Sequence, residues 1–528
     1  MTSRWWDTRW FVFAMLALAT VPLLWPPIPP FTDVPANMGR YHVMLGDDPH
    51  LSNWYRFEWR LIGYLGGDAL AAALAPLIGL EPAVKLILLA IPVLTVAGVM
   101  WISVEAHGRV QPLALFALPF AYHLALQYGF INYTLAMALA LNAWALWLRL
   151  GRLSRTRLRA LVFVPIACAI WAAHVSGWLV LGVLVFAAEL AAERRRNRSW
   201  LAAAFFGAVG CLPLALPGLM FLGWRPDVGG GGSDWIASLK FKPGWIAMAL
   251  RDRWRWFDVG SVILVALMLY RSVRSPQRKF SVEVAIAATL LFTMFIAMPF
   301  LSAYADMRLA PYVIMLALLA MRSETYSMRE QTVIASIGLL FIIVRIGAGA
   351  ASLWIESRDW SRHLEAIEHL PRGARVASFV TSACEQPWHM QRLAHLPSMA
   401  IVRRGAFTND QFNLGSTALL RVVAPGISGF DVDPSQIVVD RPCPASPEFR
   451  TLDDALARFP RDRFDYVWLI APRRLDLART QGLSLIWSNG SDMLFRVETT
   501  AAEAARSAHR KSAISKVERR LPDATAAQ

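Results

Sequence analysis

The segment WFVFAMLALATVPLLWPPIPPFTDVPANMGRYH, residues 10–42, decides the fold. Its first half, Trp10 to Trp25, is an apolar run, and two arginines stand among the nine residues before it. Basic residues beside a first span stay in the cytoplasm, so the second half should emerge on the outer face of the membrane. That places an acid, Asp33, in the first outer loop, with Arg40 and His42 after it. Since no small-residue cleavage site follows the apolar run, we interpret it as a retained anchor.

The composition is that of a polytopic membrane protein. The chain has 528 residues, of which 56% are hydrophobic and 17% charged, whereas soluble domains are about 45–50% apolar and about 25% charged. The net charge is +15, from 53 basic and 38 acidic residues. Because the basic residues cluster between apolar runs, we assign them to membrane orientation. No nucleic-acid-binding motif accompanies them, so we exclude a nucleic-acid partner.

Run length predicts about eleven transmembrane helices within residues 1–354. Arginine clusters within residues 149–159 and 194–198 mark the cytoplasmic side, and the odd number of spans places the remaining chain outside. Two long outer loops are expected, residues 26–82 and 223–258. In the first loop, Trp59 to Leu80 contains Asp68, which favours an amphipathic helix at the membrane surface, although a genuine span stays open.

Residues 355–500 read as a periplasmic α/β domain. Strands are predicted at residues 375–380, 400–402 and 464–470, with helices at 360–370 and 452–459. The tail, residues 501–528, lacks aromatic residues and is predicted to be disordered. Cys384 and Cys443 both fall in this domain, where an oxidising compartment permits a disulfide that spacing alone does not establish.

Asp33 is the candidate catalytic residue. A carboxylate at the outer membrane face can take a proton from an incoming hydroxyl group, and the alternative is a solvated aspartate that forms a turn with nearby prolines. Arg40 and His42 are candidate substrate contacts, because a helical segment would place Asp33 and Arg40 on one face. Asp48 is another candidate, although Asp-Asp-Pro is favoured as a turn sequence.

The later spans supply further candidate substrate contacts. Asn132 and His174 lie at predicted outer hairpin tips, where a polar group faces a cavity or makes a packing hydrogen bond. Arg308, next to Asp306, is placed to bind a phosphate with paired guanidinium donors, and a surface ion pair is the alternative. Arg253 lies among tryptophans in the second outer loop, which favours interfacial anchoring and leaves phosphate steering open.

Three segments carry a resemblance to a known family. They are FTDVPANMGRYH at residues 31–42, GFINYTLAMALAL at residues 129–141 and ADMRLAPY at residues 305–312. With them the chain resembles the GT-C class of integral-membrane glycosyltransferases, the group that contains protein mannosyltransferases and lipid A aminoarabinose transferases. The resemblance implies a GT-C-like polytopic α-helical fold and a bacterial inner-membrane location, with the C-terminal domain in the periplasm.

The resemblance also implies an activity, the inverting transfer of a sugar from a polyprenyl-phosphate donor to a lipid or glycan acceptor of the envelope at the periplasmic face. By this likeness Asp33 would be the base and Arg308 a phosphate contact. The chain departs from better-known members because it lacks an acid-acid pair at Asp33 and a His-Pro-Pro-Leu stretch afterwards, which leaves a divalent cation requirement open. No spacing of Cys or His predicts a metal site. The alternatives are a transporter or flippase for a lipid-linked saccharide and a non-catalytic envelope-assembly protein.

Overall fold

The computed structural model describes residues 4–220, 235–275, 279–298, 305–322, 326–385, 387–412, 418–444 and 446–498. The chain forms two compact units. We call Met1–Pro29, Leu61–Ala73 and Pro82–Trp354 the membrane unit, and Pro30–Arg60, Leu74–Glu81 and Ile355–Gln528 the α/β unit. The sequence-based division differs, since it joined the whole first outer loop, residues 26–82, to the membrane part. The predicted tail, residues 501–528, and the glycine run at 229–232 lie outside the described residues.

The described helices, in chain order, are α1 Arg9–Leu18, α2 Val21–Leu24, α3 Val34–Leu45, α4 Gly66–Ile78, α5 Leu80–His107, α6 Leu124–Tyr128, α7 Ile131–Arg152, α8 Thr156–Ala173, α9 Val175–Arg195, α10 Trp200–Gly210, α11 Leu216–Met220, α12 Trp235–Ala247, α13 Arg255–Arg274, α14 Val282–Ala297, α15 Ala305–Ala320, α16 Met328–Leu364, α17 Met399–Arg404 and α18 Leu452–Arg458. The strands are β1 Tyr55–Phe57, β2 Lys279–Phe280, β3 Met321–Arg322, β4 Arg375–Ser382, β5 Phe407–Thr408, β6 Leu420–Val422, β7 Ile437–Val439, β8 Arg450–Thr451, β9 Tyr466–Ile470, β10 Leu483–Ser488 and β11 Met493–Val497.

The chain is a multi-pass membrane protein, but the count of eleven spans is not confirmed. Among the described residues, six helices are long and apolar enough to cross a membrane: α5, α7, α8, α9, α13 and α16, the last with its short 3₁₀ extension to His369. The bent pair Trp200–Gly210 and Leu212–Met220 makes a seventh if it is one span. Other apolar runs form shorter helices, such as α1 with 10 residues, which is about 15 Å long.

Two predicted turns of the membrane unit have different outcomes. The hairpin turn at His174 is confirmed, because α8 ends at Ala173 and α9 begins at Val175. The sequence also predicts a single span at Pro112 to Gln127, the first arm of the hairpin whose tip carries Asn132, and this prediction is wrong. Residues Pro112–Tyr122 form a 3₁₀ helix with Pro119 inside it, and α6 follows. A proline removes one backbone donor and disfavours a continuous α-helix.

Two other predictions about the membrane unit need correction. Asp306 and Arg308 lie in the first turn of α15, which begins at Ala305, whereas the sequence placed them in a loop that ended before Pro311. Proline is tolerated inside a helix that packs tightly in a membrane protein. Asp68, expected at a membrane surface, is fully buried and accepts a hydrogen bond from Asn132 Nδ2 at 3.2 Å. Buried carboxylate oxygens are as a rule hydrogen-bonded, and this bond meets that requirement for one of them.

The α/β unit is built on a mixed sheet. Among the described residues its strand order is β10-β11-β9-β4-β7-β8, and β5 pairs with β4. Strand β4 is parallel to β5, β7 and β9, whereas β11 is antiparallel to β9 and β10. The strand expected at residues 400–402 is wrong, because they lie in α17, which ends at Gly405 with φ of 57°. A short apolar run cannot by itself distinguish a strand from a buried helix.

Residues 30–60 are integral to the α/β unit. Strand β1 pairs with β6 in antiparallel register, Tyr55 opposite Val422 and Phe57 opposite Leu420. The Tyr55 hydroxyl donates to the Thr408 carbonyl at 2.9 Å and accepts from the Thr408 amide at 3.0 Å. Cys384 and Cys443 form a disulfide within this unit. The contacts of Tyr55 and β1 fix the segment that carries Asp33 against residues more than 350 positions later in the chain.

Candidate active site

Asp33 immediately precedes helix α3 in the α/β unit. Pro35 lies in the first turn of α3, where the missing amide of a proline is no loss. Within the described residues the Asp33 carboxylate does not cap this helix. Its backbone carbonyl accepts from Asn37 Nδ2 at 2.9 Å, and its side chain is only 16% exposed. The half-buried position differs from that of a solvated turn aspartate.

His395 faces Asp33 and a second acid. Its Nε2 atom lies 3.9 Å from Asp33 Oδ1 and 3.8 Å from Asp433 Oδ1. The other ring nitrogen, Nδ1, lies 2.9 Å from the Asp410 carbonyl oxygen, so it is the protonated donor in that bond. The Phe412 ring packs on the imidazole with centroids 4.5 Å apart. The ring orientation is therefore fixed, with Nε2 directed towards the two carboxylates.

Asp410, whose carbonyl binds His395, is itself held by hydrogen bonds to both of its carboxylate oxygens. Its Oδ2 accepts from the Ser398 amide at 2.9 Å and from Ser398 Oγ at 2.8 Å, and its Oδ1 accepts from Thr408 Oγ1 at 2.6 Å. Gln411 Nε2 donates to Ser398 Oγ at 2.8 Å and to the Ala36 carbonyl of α3 at 3.3 Å. The network thus connects the loop that holds His395 to the helix that follows Asp33.

Packing between these elements is tight at Gly39 of α3. A Cβ atom there would lie 2.7 Å from Gln411 Nε2 and 3.1 Å from Ile401 Cδ1. Glycine therefore permits the close approach of α3 to the Asp410 network.

The charges in this cluster are coupled. Burial opposes protonation of His395, but the carboxylates of Asp433, Asp33 and Asp410 outweigh it and raise its pKa above the ordinary value. Burial raises the pKa of the Asp410 carboxyl, against the opposing effects of His395, Thr408 and Ser398. A protonated His395 favours the ionised form of Asp33, which is the form a base requires.

A cavity of about 190 Å³ adjoins this cluster. Its wall includes Asp433, Asp431, Glu448 and Arg450. It is smaller than the roughly 300–1,000 Å³ typical of drug-sized ligand sites. Its polar wall suits a small hydroxylated group, since carboxylates accept hydrogen bonds from hydroxyls.

Arg40 and His42 follow Asp33 along α3, and Asp48 lies in the turn after this helix. At 1.5 Å per residue, the backbone of Arg40 lies about 10 Å and that of His42 about 13 Å further along the helix axis. The Arg40 guanidinium is buried and lies over the Tyr41 ring at 5.2 Å. Burial lowers the pKa of the His42 imidazole. Asp48 Oδ1 accepts from the His50 amide at 2.9 Å, which agrees with the turn interpretation.

The membrane unit holds a second polar cluster around Tyr133. The Arg308 guanidinium lies 3.9 Å from the centre of the Phe130 ring and 5.5 Å from that of Tyr133. The Tyr133 hydroxyl donates to the Arg308 carbonyl at 2.9 Å. The His174 ring lies 5.4 Å from the Tyr133 ring and 5.3 Å from that of Tyr64. Two of the predicted contacts, Arg308 and His174, therefore share one aromatic neighbour, and the rings stabilise a cation there.

Other predicted contacts in this unit have structural partners. Asn132 donates to the Tyr64 carbonyl at 3.0 Å and accepts from the Gly67 amide, which ties α7 to the start of α4. Asp306 forms a buried ion pair with Lys242, whose Nζ lies 2.6 Å from Asp306 Oδ2. Arg253 is half-buried beside the exposed Trp254, as expected for interfacial anchoring. In the described part of the chain, no group of three or more His, Cys, Asp or Glu is arranged to hold a metal ion.

Sequence reasoning missed His395, Asp410 and Asp433. One signal was present: Thr408, Asn409, Asp410 and Gln411 form a polar run, and all four are at most 1% exposed. In sequence this run reads as a loop. Its burial follows only from the sheet that forms around it.

Comparisons with known proteins found a weak likeness to a solved structure. No protein-family model matches the chain, and no curated protein matches it. Among solved structures it is similar to the crystal structure of ArnT from Cupriavidus metallidurans in the apo state. The identity is 12%, the TM-score is 0.46, and the likeness covers 92% of this chain and 97% of the other. Similarity at this level identifies neither a substrate nor a site residue.

Proposed function

We propose that the chain is a membrane glycosyltransferase with Asp33 as its base. It moves a sugar, with inversion, from a polyprenyl-phosphate donor to an envelope acceptor at the periplasmic face. The observation that carries the proposal is the half-buried Asp33 carboxylate beside a buried, oriented His395. Pairs of titratable groups that perturb one another are typical of catalytic sites.

The reaction assigns each group a step. The acceptor hydroxyl gives its proton to Asp33 as its oxygen attacks the anomeric carbon, and the bond from that carbon to the phosphate oxygen breaks. The surrounding acids raise the pKa of His395, and in its protonated form it places a positive charge beside the Asp33 carboxylate before the transfer. The cavity walled by Asp433 receives the acceptor unit that carries the hydroxyl.

The departing group is an anionic polyprenyl phosphate. We assign its recognition to Arg308, because a guanidinium matches phosphate oxygens with paired donors. The contacts of Arg308 with Phe130 and Tyr133 hold the guanidinium in place. Arg253 supplies longer-range attraction in this proposal.

The test is a donor-consumption assay on purified full-length protein. Wild type and Asp33→Asn are incubated with a panel of polyprenyl-phosphate sugars and a membrane extract as acceptor source, and release of polyprenyl phosphate is measured. We expect release by wild type and a loss of about 10²–10⁴-fold in Asp33→Asn. Asp47→Asn is the matched control, because Asp47 is exposed beyond the far end of α3.

An Asp33→Asn protein that transfers sugar at the wild-type rate would contradict the base assignment. Movement of an intact donor across vesicle membranes, without its cleavage, would favour the transporter. Donor binding with neither cleavage nor movement would favour the assembly protein.

A further inference from the structure

A second cavity of the α/β unit, of about 330 Å³, lies at one edge of the sheet. Parallel strands β4 and β9 both begin there, and β11, antiparallel to β9, ends there. Arg375 comes from the start of β4 and Arg496 from the end of β11. Arg372 precedes β4, and Arg461 precedes β9. Four arginines from three segments of the chain therefore surround one cavity, which we call the arginine cavity.

The charge of the arginine cavity is not balanced by its own wall. Two acids, Asp462 and Asp465, accompany the four arginines, which leaves a formal charge of +2. Asp465 is bound by Arg375, whose Nε and Nη2 atoms lie 3.1 and 2.6 Å from its two oxygens. Asp462 accepts instead from Arg463 at 3.0 Å, an arginine outside the wall.

The remaining three arginines lack a countercharge of this kind. Arg461 donates to the carbonyls of Gln481 and Arg479, which orient its guanidinium without neutralising it. Burial lowers the pKa of Arg461, so its charge is partly desolvated. In the described part of the chain, the guanidinium groups of Arg372 and Arg496 make no hydrogen bond and no ion pair, and both residues are exposed.

We propose that the arginine cavity binds a phosphate-bearing ligand through Arg372, Arg461 and Arg496. A phosphate monoester carries about −1.5 to −2 charges near neutral pH and three acceptor oxygens, which matches the formal charge of the wall. Planar guanidinium groups bind such oxygens with paired, charge-assisted hydrogen bonds. Arg375 and Asp465, which pair with each other, form another part of the cavity wall. This site contains none of the residues assigned to transfer.

The ligand could be a free phosphate or a lipid headgroup, and two probes separate these sources. Full-length protein in an uncharged detergent at low salt is titrated calorimetrically with inorganic phosphate, and separately with dihexanoyl phosphatidic acid below its micelle concentration. Equal affinities would identify a soluble phosphate ligand that is recognised through the phosphate alone. A phosphatidic acid affinity about tenfold higher, near 1.4 kcal/mol, would identify a lipid headgroup.

The variant Arg372→Gln/Arg496→Gln removes two exposed guanidinium groups and should fold normally. We expect its affinity for phosphate to fall about tenfold or more, because the variant loses two of the three guanidinium groups that donate charge-assisted hydrogen bonds to the phosphate. The matched control is Arg421→Gln/Arg458→Gln, which removes the same charge from exposed positions outside the cavity. Its affinity should stay within about twofold of wild type, as expected for screened surface charges.

Binding of neither probe by wild type, or an equal loss in the control variant, would overturn the proposal. Asp33→Asn should bind phosphate like wild type, so a failure of the transferase assignment and a failure of the arginine cavity are seen separately.

Discussion

Two buried carboxylates of the membrane unit and one of the α/β unit are stabilised in different ways. In the membrane unit, Asp306 and Asp258 are each matched by a full cation, Lys242 and Arg345, at 2.6 and 2.7 Å. In the α/β unit the buried Asp410 is bound by two hydroxyls and a backbone amide. A buried charge that water does not reach needs either a countercharge or several hydrogen-bond donors. The difference predicts that breaking a pair in the membrane unit is the costlier change.

The largest effect is expected for Asp258→Ala. This carboxylate accepts from Arg345 Nη1 and, at 2.9 Å, from the Asp252 amide. Its loss leaves a buried guanidinium without its partner, which costs about 3–5 kcal/mol of stability. The measurement is resistance to unfolding by sodium dodecyl sulfate in mixed micelles.

A double variant, Asp258→Ala/Arg345→Met, sharpens this comparison. It removes both charges, so much of the lost stability should return. The exposed pair of Asp454 with Arg458 gives the control, and Asp454→Ala should cost less than about 1 kcal/mol. Equal losses for Asp258→Ala and Asp454→Ala would break the comparison.

The next largest effect is expected for Arg308, whose guanidinium group packs against the Phe130 and Tyr133 rings. Arg308→Ala should lower kcat/KM for the lipid-linked donor about 10–100-fold, since a hydrogen bond to a charged group contributes roughly 1.5–3 kcal/mol. Arg308→Lys keeps the charge but loses the planar pair of donors, so an intermediate value is expected. Initial rates over a donor concentration series give the ratio. An unchanged ratio in Arg308→Ala would remove this residue from phosphate recognition.

A smaller loss is expected in the α/β unit for Thr408→Val. The substitution keeps the shape but deletes the hydroxyl that donates to Asp410 Oδ1. One carboxylate oxygen then lacks its donor, at a cost of about 1–3 kcal/mol. Hydrogen exchange of the β4 and β9 amides measures the loss in this unit directly. Ser378→Ala is the control, because its Oγ makes no hydrogen bond within the described residues.

The pH dependence gives this prediction a sign. Burial raises the folded-state pKa of Asp410 above 3.8. The contribution of this group to the free energy of unfolding is therefore fully present below about pH 4, and it is lost as the pH rises through the raised pKa. The hydrogen bond from Thr408 lowers the pKa of Asp410, so its deletion destabilises the ionised carboxylate further. The variant should therefore lose more at neutral than at acid pH. An equal loss at both would contradict the role of the ionised carboxylate.

The sequence predicted features that depend on local pattern, and it missed those that depend on distant contacts. The turn at His174 follows from run length and a polar residue in its middle, so it was predictable. The partner of Asp33 was not, because His395 stands 362 positions later in the chain and reaches it only through the fold of residues 30–60 with the sheet. The count of eleven spans is not confirmed where prolines and short runs form 3₁₀ turns and short helices, since run length carries no information about helix continuity.

The smallest effect expected is in the pH dependence set by His395. His395→Asn keeps a donor near the Nδ1 position for the Asp410 carbonyl but removes the Nε2 group that faces Asp33. The folded-state pKa of His395 is raised above 6.5, so its stabilising proton is present below that pH and is lost as pH rises through the raised value. The difference in melting temperature between wild type and variant should therefore shrink as the pH rises from about 6.5 into the alkaline range. Transfer by wild type should fall over the same range, whereas the variant should be slower and nearly flat. A variant that keeps the wild-type alkaline fall would show that another group titrates there, and His395 would then have no part in setting the pH dependence of transfer.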